Sequence, residues 1–433
     1  MIFLCVANVR ISAWRNRCGH STEGAQSAAM TESPRDFDVI VYGASGFVGV
    51  LVARYLAEHA PEGARLALGG RSAARLEGLG LGLPVVIADA NDAAALTTMA
   101  ARTRVVVTTV GPYAKYGKAL AHACAETGTD YVDLTGEVLF ARDSIDENHE
   151  TARRTGARIV HSCGFDSIPS DIGVHVLHEE VSRDGAGELT DTTLVVSSMR
   201  GGISGGTIDS MRHQVDLMRK DTRLRKIGAS PYSLSPDRGA EPDLGRQPDM
   251  LTLPASEVDP SVRGHLAPFV MASYNTRVVR RSNALRGWAY GRGFRYREVL
   301  RVKSKLAATI VKSGMNALVI GFAVPPLRFV LDRFLPAPGA GPSEDRQRNG
   351  HFTMDLFTTT TSGARYRARV KAKGDPGYAA TAVMLGESAL ALAFDGDALP
   401  QVEGGVLTPA TAIGDALVTR LRAAGMEITV QRL

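Results

Sequence analysis

The feature that most constrains the fold of this chain is a glycine-spaced turn between a short apolar run and a helical pattern. The segment VYGASGFVGV, residues 41–50, lies between the apolar residues FDVI and the helical stretch LVARYLAEHA. We expect Gly43 to permit a tight turn, Gly46 to let the backbone approach a phosphate, and Gly49 to bring the helix close to the strand. This order of strand, glycines and helix predicts a dinucleotide-binding domain. The predicted cofactor contacts in this turn are Gly43, Ser45, Gly46, Phe47 and Gly49.

The end of the next predicted strand distinguishes between the two nicotinamide dinucleotides. The strand ARLALGG is followed by Arg71, where a site that prefers NAD normally has an acidic residue for the ribose 2′-hydroxyl. Arg71 and Arg75 offer cations and Ser72 offers a hydroxyl, a combination that suits a 2′-phosphate. The alternative is a pair of arginines on a solvated helix start. The pattern favours NADP as the cofactor.

The alternation of strand and helix continues along the first third of the chain. Further predicted strands lie in PVVIADA, TRVVVTTVGPY, TDYVDLTGE and ARIVHSCGFDS. This rhythm predicts a parallel sheet with helices on both faces and ligand groups at the carboxyl ends of its strands. Asp89 ends one strand and is expected to contact adenine or to cap a helix. Gly111 and Pro112 form a turn that we expect beside the nicotinamide.

Three side chains near these strand ends are catalytic candidates. Tyr113 and Tyr116 follow the Gly-Pro turn, and a tyrosine can donate a proton or hydrogen-bond an oxyanion. The alternative for both is to shield the cofactor from water. Asp166, in CGFDSIPSD, either faces the substrate or caps the following helix. The ten histidines suggest neither a metal cluster nor a Ser/His/Asp triad, so no metal is predicted.

Composition narrows the class of protein. With 433 residues, 44% hydrophobic and 22% charged, the chain is typical of a soluble protein with two domains. A formal charge of +5 gives little support for nucleic-acid binding. Cys5, Cys18, Cys124 and Cys163 show neither metal-ligand spacing nor a disulfide framework, which indicates a reducing cytoplasm. Residues 1–35 are predicted to be a disordered or mis-assigned leader, with an ordered extension or a targeting signal as alternatives.

The second half of the sequence carries a basic and an apolar stretch. Between Arg277 and Lys312 there are eleven arginines and lysines against the single acid Glu298. This basic stretch is either a solvated face or a docking patch for an acidic carrier domain or an anionic membrane. Residues 315–335 are apolar, but their uninterrupted run of about 10 residues is shorter than a membrane span needs. A buried core helix is favoured there, with an acyl-chain wall or a membrane-facing helix as alternatives.

Three shorter segments complete the pattern. GGISGGTIDSM, residues 201–211, lacks the Lys-Ser/Thr of a P-loop, so it is either a turn that lets substrate approach the backbone or a plain loop. Ser362 and Gly363 lie between two β-rich runs and predict a hairpin. Thr408 and Pro409 begin a predicted helix, which a short strand follows.

The motifs YGASGFVG, LALGGRS, TTVGPYAKYG, DLTGE and CGFDSIPSD occur in this order, and further similarity covers nearly everything after Met30. Together they resemble the saccharopine dehydrogenase-like reductases, and specifically the mycobacterial trans-acting enoyl reductases. The resemblance implies an NADP-dependent reductase that serves polyketide synthases lacking a working enoyl reductase, in the synthesis of phthiocerol-type cell-wall lipids. The implied partner is an acyl-carrier domain that presents an acyl thioester in trans.

The resemblance also sets the expected architecture. It implies an α/β fold with a doubly wound Rossmann domain over residues 36–165 and an α+β substrate domain over 166–405. Residues 406–433 are expected to return to the first domain as a helix and a strand. The alternative functions are a reductase of another carbonyl or imine substrate and a lipid-associated protein without turnover. A homodimer and peripheral association with the inner face of the plasma membrane stay open.

Overall fold

The computed structural model describes residues 35–201, 205–331, 333 and 349–433. Six strands from residues 37–160 and one from 405–407 form a seven-stranded parallel sheet. The strand order is β13-β6-β5-β4-β1-β2-β3. The strands are β1 (Phe37–Tyr42), β2 (Leu66–Gly70), β3 (Val85–Ile87), β4 (Thr103–Thr108), β5 (Asp130–Val132), β6 (Arg158–Val160) and β13 (Gly405–Leu407). The chain leaves β1 toward β2 and β3 and then crosses to β4 on the other side of β1, so a switch point lies between β1 and β4.

Helices cover both faces of this first sheet, because its strands are apolar on both sides and need a partner on each. In β1, five consecutive residues from Asp38 to Tyr42 are buried. The helices are α1 (Phe47–His59), α2 (Ala73–Glu77), α3 (Ala93–Ala101), α4 (Tyr113–Tyr116), α5 (Lys118–Thr127), α6 (Val138–Thr155) and α7 (Ile168–Arg183). The predicted doubly wound Rossmann domain is confirmed.

A second seven-stranded sheet is mixed, in the order β14-β12-β11-β7-β10-β9-β8, and only β7 and β10 pair in parallel. Its strands are β7 (Leu189–Arg200), β8 (Leu253–Pro254), β9 (His265–Pro268), β10 (Arg295–Val302), β11 (His351–Thr360), β12 (Arg365–Lys373) and β14 (Glu427–Arg432). The remaining helices are α8 (Gly205–Lys220), α9 (Thr222–Ala229), α10 (Ala272–Leu285), α11 (Lys305–Ala323), α12 (Pro325–Leu331), α13 (Ala379–Phe394), α14 (Pro409–Ala412) and α15 (Asp415–Ala423). Short 3-10 turns occupy Ala255–Glu257 and Gly396–Ala398.

Local sequence signals explain two connections of this sheet. The predicted hairpin joins β11 to β12, and Gly363 has a φ of +81° in the left-handed region that glycine tolerates. Thr408 caps α14 in a capping box with Thr411, and Pro409 is the first helical residue, as predicted.

The C-terminal segment divides between the two sheets. Strand β13 pairs with β6 in the first sheet, as the expected return to the Rossmann domain requires. The last strand differs from the expectation, because β14 pairs with β12 and places Ile428 opposite Val370 in the second sheet. The physical reason is that β14 covers the edge of β12, which would otherwise expose unpaired backbone groups.

The N-terminal leader lies outside the described residues apart from Arg35. This residue belongs to the compact unit Arg35–Leu433, because its Nη2 donates to the carbonyl oxygens of Thr127 at 2.8 Å and Gly128 at 3.1 Å. Both sheets belong to this same unit.

The first three arginines of the basic stretch lie in the interior and contribute to neither a solvated face nor a docking patch, whereas Arg292, Arg295, Arg301, Lys303 and Lys305 are exposed. Helix α10 buries Arg277, Arg280 and Arg281. Arg280 Nη2 donates to the Tyr296 carbonyl at 2.9 Å, and Arg281 Nη1 donates to the Leu234 carbonyl at 2.6 Å. These arginines hold loop ends together, and their replacement would therefore disturb the fold rather than a docking surface.

The apolar stretch is also placed differently from the favoured expectation. Helix α11 begins at Lys305, ten residues before the apolar run, and is 19 residues long. Its apolar window has a mean hydropathy of 1.5. Only 17% of its apolar window is buried, so it is not a core helix. By length and composition it is the one helix in the described part of the chain that is long and apolar enough to cross a membrane.

Candidate functional site

A cavity of about 630 Å³ opens at the carboxyl ends of β1, β2, β3 and β4. Its floor is the first sheet, and its opposite wall comes from α8 and from the loops before α10 and α13. In open α/β sheets the crevice beside the switch point is the usual ligand site. The predicted residues that line it are Gly43, Ser45, Gly46, Phe47, Arg71, Arg75, Asp89, Gly111, Pro112, Tyr113, Tyr116 and Asp166.

The glycine turn has the geometry of a phosphate cradle. Gly43 has a φ of +84°, and its carbonyl accepts the Gly46 amide at 2.9 Å. A Cβ at Gly49 would overlap the Gly43 carbonyl oxygen, so Gly49 serves helix-strand packing, as predicted. Unlike Gly43 and Gly46, Gly49 does not line the cavity. No acidic side chain lies in the first turn of α1, whose free amides favour an anion. The turn therefore fits the diphosphate of a dinucleotide.

The predicted 2′-phosphate site lies at the end of β2. Arg71 and Arg75 are exposed, line the cavity, and form no ion pair within the described ranges. Ser72 occupies the N-cap position of α2 and lies outside the cavity. Two exposed cations at a strand end fit a phosphate monoester. Hydrogen bonds from Asn91 lower the pKa of the Asp89 carboxylate, and Arg71 is near enough to lower it further.

Asp89 lies across from these arginines. Its carboxylate accepts the Asn91 backbone amide at 2.9 Å, and this hydrogen bond lowers the pKa of Asp89. The alternative that Asp89 caps a helix is wrong, because Asp92 is the N-cap of α3 and accepts the Ala95 amide at 3.0 Å. Asp89 therefore keeps one carboxylate oxygen for a ligand.

The turn after β4 is held in place by a carboxylate that sequence reasoning missed. Glu137, the last residue of DLTGE, is fully buried. Its two oxygens accept the backbone amides of Tyr113 at 2.8 Å and Ala114 at 2.9 Å. Ser210 of α8 donates to the same carboxylate at 2.6 Å. Glu137 thus ties the Gly-Pro turn to the opposite wall of the cavity, and its place in the loop after β5, at the N-cap position of α6, was the available signal.

The two predicted tyrosines have different environments. The Tyr113 hydroxyl donates to the Thr108 carbonyl at 3.2 Å and accepts the Leu134 amide at 3.4 Å. Burial raises the pKa of Tyr113, which keeps the phenol neutral. Because its proton is already donated to backbone, Tyr113 fits the structural alternative better than proton transfer. Tyr116 is partly exposed, with the Lys115 ammonium 4.9 Å from its ring centroid, and a hydrogen bond to the Tyr116 side chain raises the pKa of Lys115. Because a lysine only donates, the Tyr116 O–H stays available as a donor to a ligand.

Asp166 has a carboxyl group that is suited to proton transfer in this cavity. It lies in the turn between β6 and α7, while Ser167 holds the N-cap position, so the capping alternative is wrong. Burial raises the pKa of Asp166 to about 6. Within the described ranges its carboxylate accepts no hydrogen bond and forms no ion pair. A carboxyl group of this kind holds a proton near neutral pH and can transfer it.

Helix α8 forms one wall of the cavity, and the glycine-rich segment at its start predicted only a turn or a loop there. The segment from residue 205 is helical rather than a plain loop, and Gly206, Ser210, Met211 and Gln214 line the cavity. Tyr378, in the loop before α13, meets Phe47 of the glycine turn edge to face with ring centroids 5.1 Å apart. The wall combines apolar and small side chains, which suits an acyl chain.

Residues 39–160 match the family model "Saccharopine dehydrogenase NADP binding domain". The fold as a whole is similar to apo saccharopine dehydrogenase (L-Glu forming) from Saccharomyces cerevisiae, with a TM-score of 0.53 and 13% identity over 92% of this chain and all of that one. The fold and the cavity thus define an NADP-dependent oxidoreductase of the saccharopine dehydrogenase type.

Similarity to curated proteins narrows the class further. A trans-acting enoyl reductase of Mycobacterium tuberculosis is 47% identical over 421 residues, which are 93% of this chain and all of the relative. Another from Mycobacterium ulcerans is 44% identical over the same shares. A second M. tuberculosis protein, which carries this designation provisionally, is 51% identical over 419 residues. The chain belongs to the family of trans-acting enoyl reductases.

Proposed function

We propose that this protein reduces the α,β double bond of a polyketide intermediate that remains bound as a thioester to an acyl-carrier domain. The observation that carries the proposal is the single cavity that joins the glycine turn and Arg71 to the unpaired carboxyl of Asp166. The full-length similarity to trans-acting enoyl reductases supports this reaction over carbonyl or imine reduction. The products are proposed to enter phthiocerol-type cell-wall lipids.

Reduction of an enoyl thioester adds a hydride to the β-carbon and a proton to the α-carbon. Bound NADPH supplies the hydride. The electron pair of the double bond then passes to the thioester oxygen, where an enolate forms and needs a hydrogen-bond donor. We assign this donor to the Tyr116 hydroxyl, which lines the cavity close to the Gly-Pro turn.

The α-carbon receives its proton from Asp166 in this proposal. The protonated carboxyl group becomes a carboxylate as the enolate collapses, and solvent restores the proton before the next turnover. Since burial raises the pKa of Asp166 to about 6, a useful fraction of the group is protonated near neutral pH. Glu137 orients the neighbouring turn and takes no part in proton transfer.

Delivery by a carrier domain predicts a difference between two substrates of equal chemistry. We expect a higher kcat/KM for the enoyl group on an acyl-carrier domain than for the same group on a short pantetheine thioester, measured by NADPH oxidation. Added salt should lower only the carrier-bound value, because docking to an acidic domain is electrostatic. Equal kcat/KM values with equal salt dependence would contradict delivery in trans while leaving the reductase reaction intact.

A further inference from the structure

An exposed apolar surface lies on α11, α12 and the residue between them. Leu306, Ile310 and Phe329 are the most exposed of its side chains, at 70%, 62% and 71%. This α11–α12 face holds seven of the eleven exposed large hydrophobic side chains in the described part of the chain. They are Leu306, Ile310, Val319, Ile320, Val324, Leu327 and Phe329.

The face belongs to a helix that is anchored on its other side. Ala308 and Phe322 are buried, and α11 packs against β9 and α8. The exposed residues Leu306, Ile310 and Ile320 recur with helical spacing, so they form one stripe. A helix held in this way presents its apolar stripe along a surface, as an interfacial helix does, rather than spanning a bilayer on its own.

The charges that the α11–α12 segment itself carries are of one sign. The sequence has no acidic residue between Glu298 and Asp332, although it carries several cations there. Lys303, Lys305 and Lys312 form no ion pair within the described ranges. Apolar side chains flanked by free lysines match an anionic lipid surface. A second copy would bring two cationic faces together, and a hydrated acidic protein would leave the apolar stripe unmatched.

We propose that the α11–α12 face docks on an anionic lipid bilayer, with its apolar stripe in the interface. Helix α8 links this docking face to the cavity. One side of α8 lines the cavity at Ser210 and Met211. Its other side contacts α11 and α12, where Arg212 lies 5.6 Å from the Phe322 ring centroid and Asp216 pairs with Arg328 at 2.7 Å. Helix α8 therefore connects the cavity to the two helices that carry the docking face. This proposal does not depend on the enoyl substrate.

Co-sedimentation of the full chain with vesicles tests the docking. We expect binding to phosphatidylcholine vesicles that contain phosphatidylglycerol, weak binding to phosphatidylcholine alone, and weaker binding to both at high salt. The triple variant Leu306→Ser, Ile310→Ser, Phe329→Ser should lose binding by roughly tenfold or more, because it removes the inserted apolar area. Lys303→Gln, Lys305→Gln and Lys312→Gln should each weaken binding to the anionic vesicles about fivefold.

Val402→Ser is the matched control, since Val402 is 38% exposed but lies away from the face. This variant should bind as the unaltered protein does, and all variants should keep their melting temperature because the altered side chains are exposed or, for Lys312, partly exposed. Equal vesicle binding by the triple-serine variant would overturn the proposal. So would resistance of the bound protein to alkaline carbonate extraction, which indicates a membrane span. A dimer that the triple variant loses, without any vesicle binding, would assign the face to a second copy.

Discussion

Replacement of Asp166 by asparagine should lower kcat for enoyl reduction by roughly 10²- to 10⁴-fold, the usual contribution of a general acid. Asparagine fills nearly the same volume but has no acidic proton to give to the α-carbon. In the unaltered protein, kcat/KM should fall as the pH rises through about 6, because burial raises the pKa of Asp166 to about 6 and only the protonated form donates. The variant should lose this limb of the pH profile. Steady-state rates between pH 5 and 9 measure both effects.

Asp209→Asn is the matched control, because Asp209 also contributes a carboxylate to the cavity wall but from α8. It should change kcat little and leave the pH limb in place. If Asp166→Asn kept its rate and its pH profile, the proton would come from another group, and Tyr116 would be the next candidate.

Asp166→Asn should also stabilise the protein, and the raised pKa of Asp166 sets the pH range in which it does so. A carboxyl whose pKa is raised on folding to about 6 costs stability as the pH rises from about 4 through 6, because the folded state must then hold an unpaired charge. The cost reaches at most about 3 kcal/mol at pH 8. Thermal unfolding should therefore show a melting temperature a few degrees higher for the variant at pH 8 and no difference at pH 4. A lower melting temperature at pH 8 would show that the carboxylate is paired.

Replacement of Arg71 by alanine should weaken NADPH binding by roughly 10- to 150-fold, which corresponds to about 1.5–3 kcal/mol for the loss of a charged hydrogen-bonded contact. Arg71 is exposed at the end of β2, lines the cavity, and forms no ion pair within the described ranges, so its guanidinium is available for the 2′-phosphate. NADH lacks this phosphate, and its affinity should hardly change. Fluorescence titration with both cofactors measures the difference.

Arg54→Ala is the control for Arg71, since Arg54 is an exposed arginine of α1 outside the cavity. It should leave both affinities unchanged. An equal loss of NADPH and NADH affinity in Arg71→Ala would show that Arg71 supports the turn itself and does not read the phosphate.

The first sheet and the glycine turn could be predicted because their causes are local. The apolar runs are buried strands, and Gly49 must be glycine because a Cβ there would overlap the carbonyl of Gly43, only six residues away. Glu137 escaped prediction because its partner Ser210 is 73 residues away in the sequence. The burial of Arg281 was not predicted for the same reason. The carbonyls of Leu234 and Val406, which accept its hydrogen bonds, are distant in the sequence.

The apolar stretch shows a different limit. The sequence reading began the apolar segment at Met315, because lysines interrupt the residues before it. Helical periodicity places Lys312 beside the apolar stripe rather than within it, so the helix extends back to Lys305. An uninterrupted apolar run in the sequence therefore underestimates the length of a helix whose apolar residues lie on only one face.

The most direct test of the enoyl reductase assignment is to follow the hydride itself. A single turnover would use NADPH that carries deuterium at C4 of the nicotinamide, with an enoyl group bound to an acyl-carrier domain, and mass spectrometry and NMR of the released acyl chain. The proposed reaction predicts a saturated chain with one deuterium at the β-carbon and a solvent proton at the α-carbon. Deuterium on the former carbonyl carbon, or bound NADPH with no transfer to the acyl chain, would contradict it.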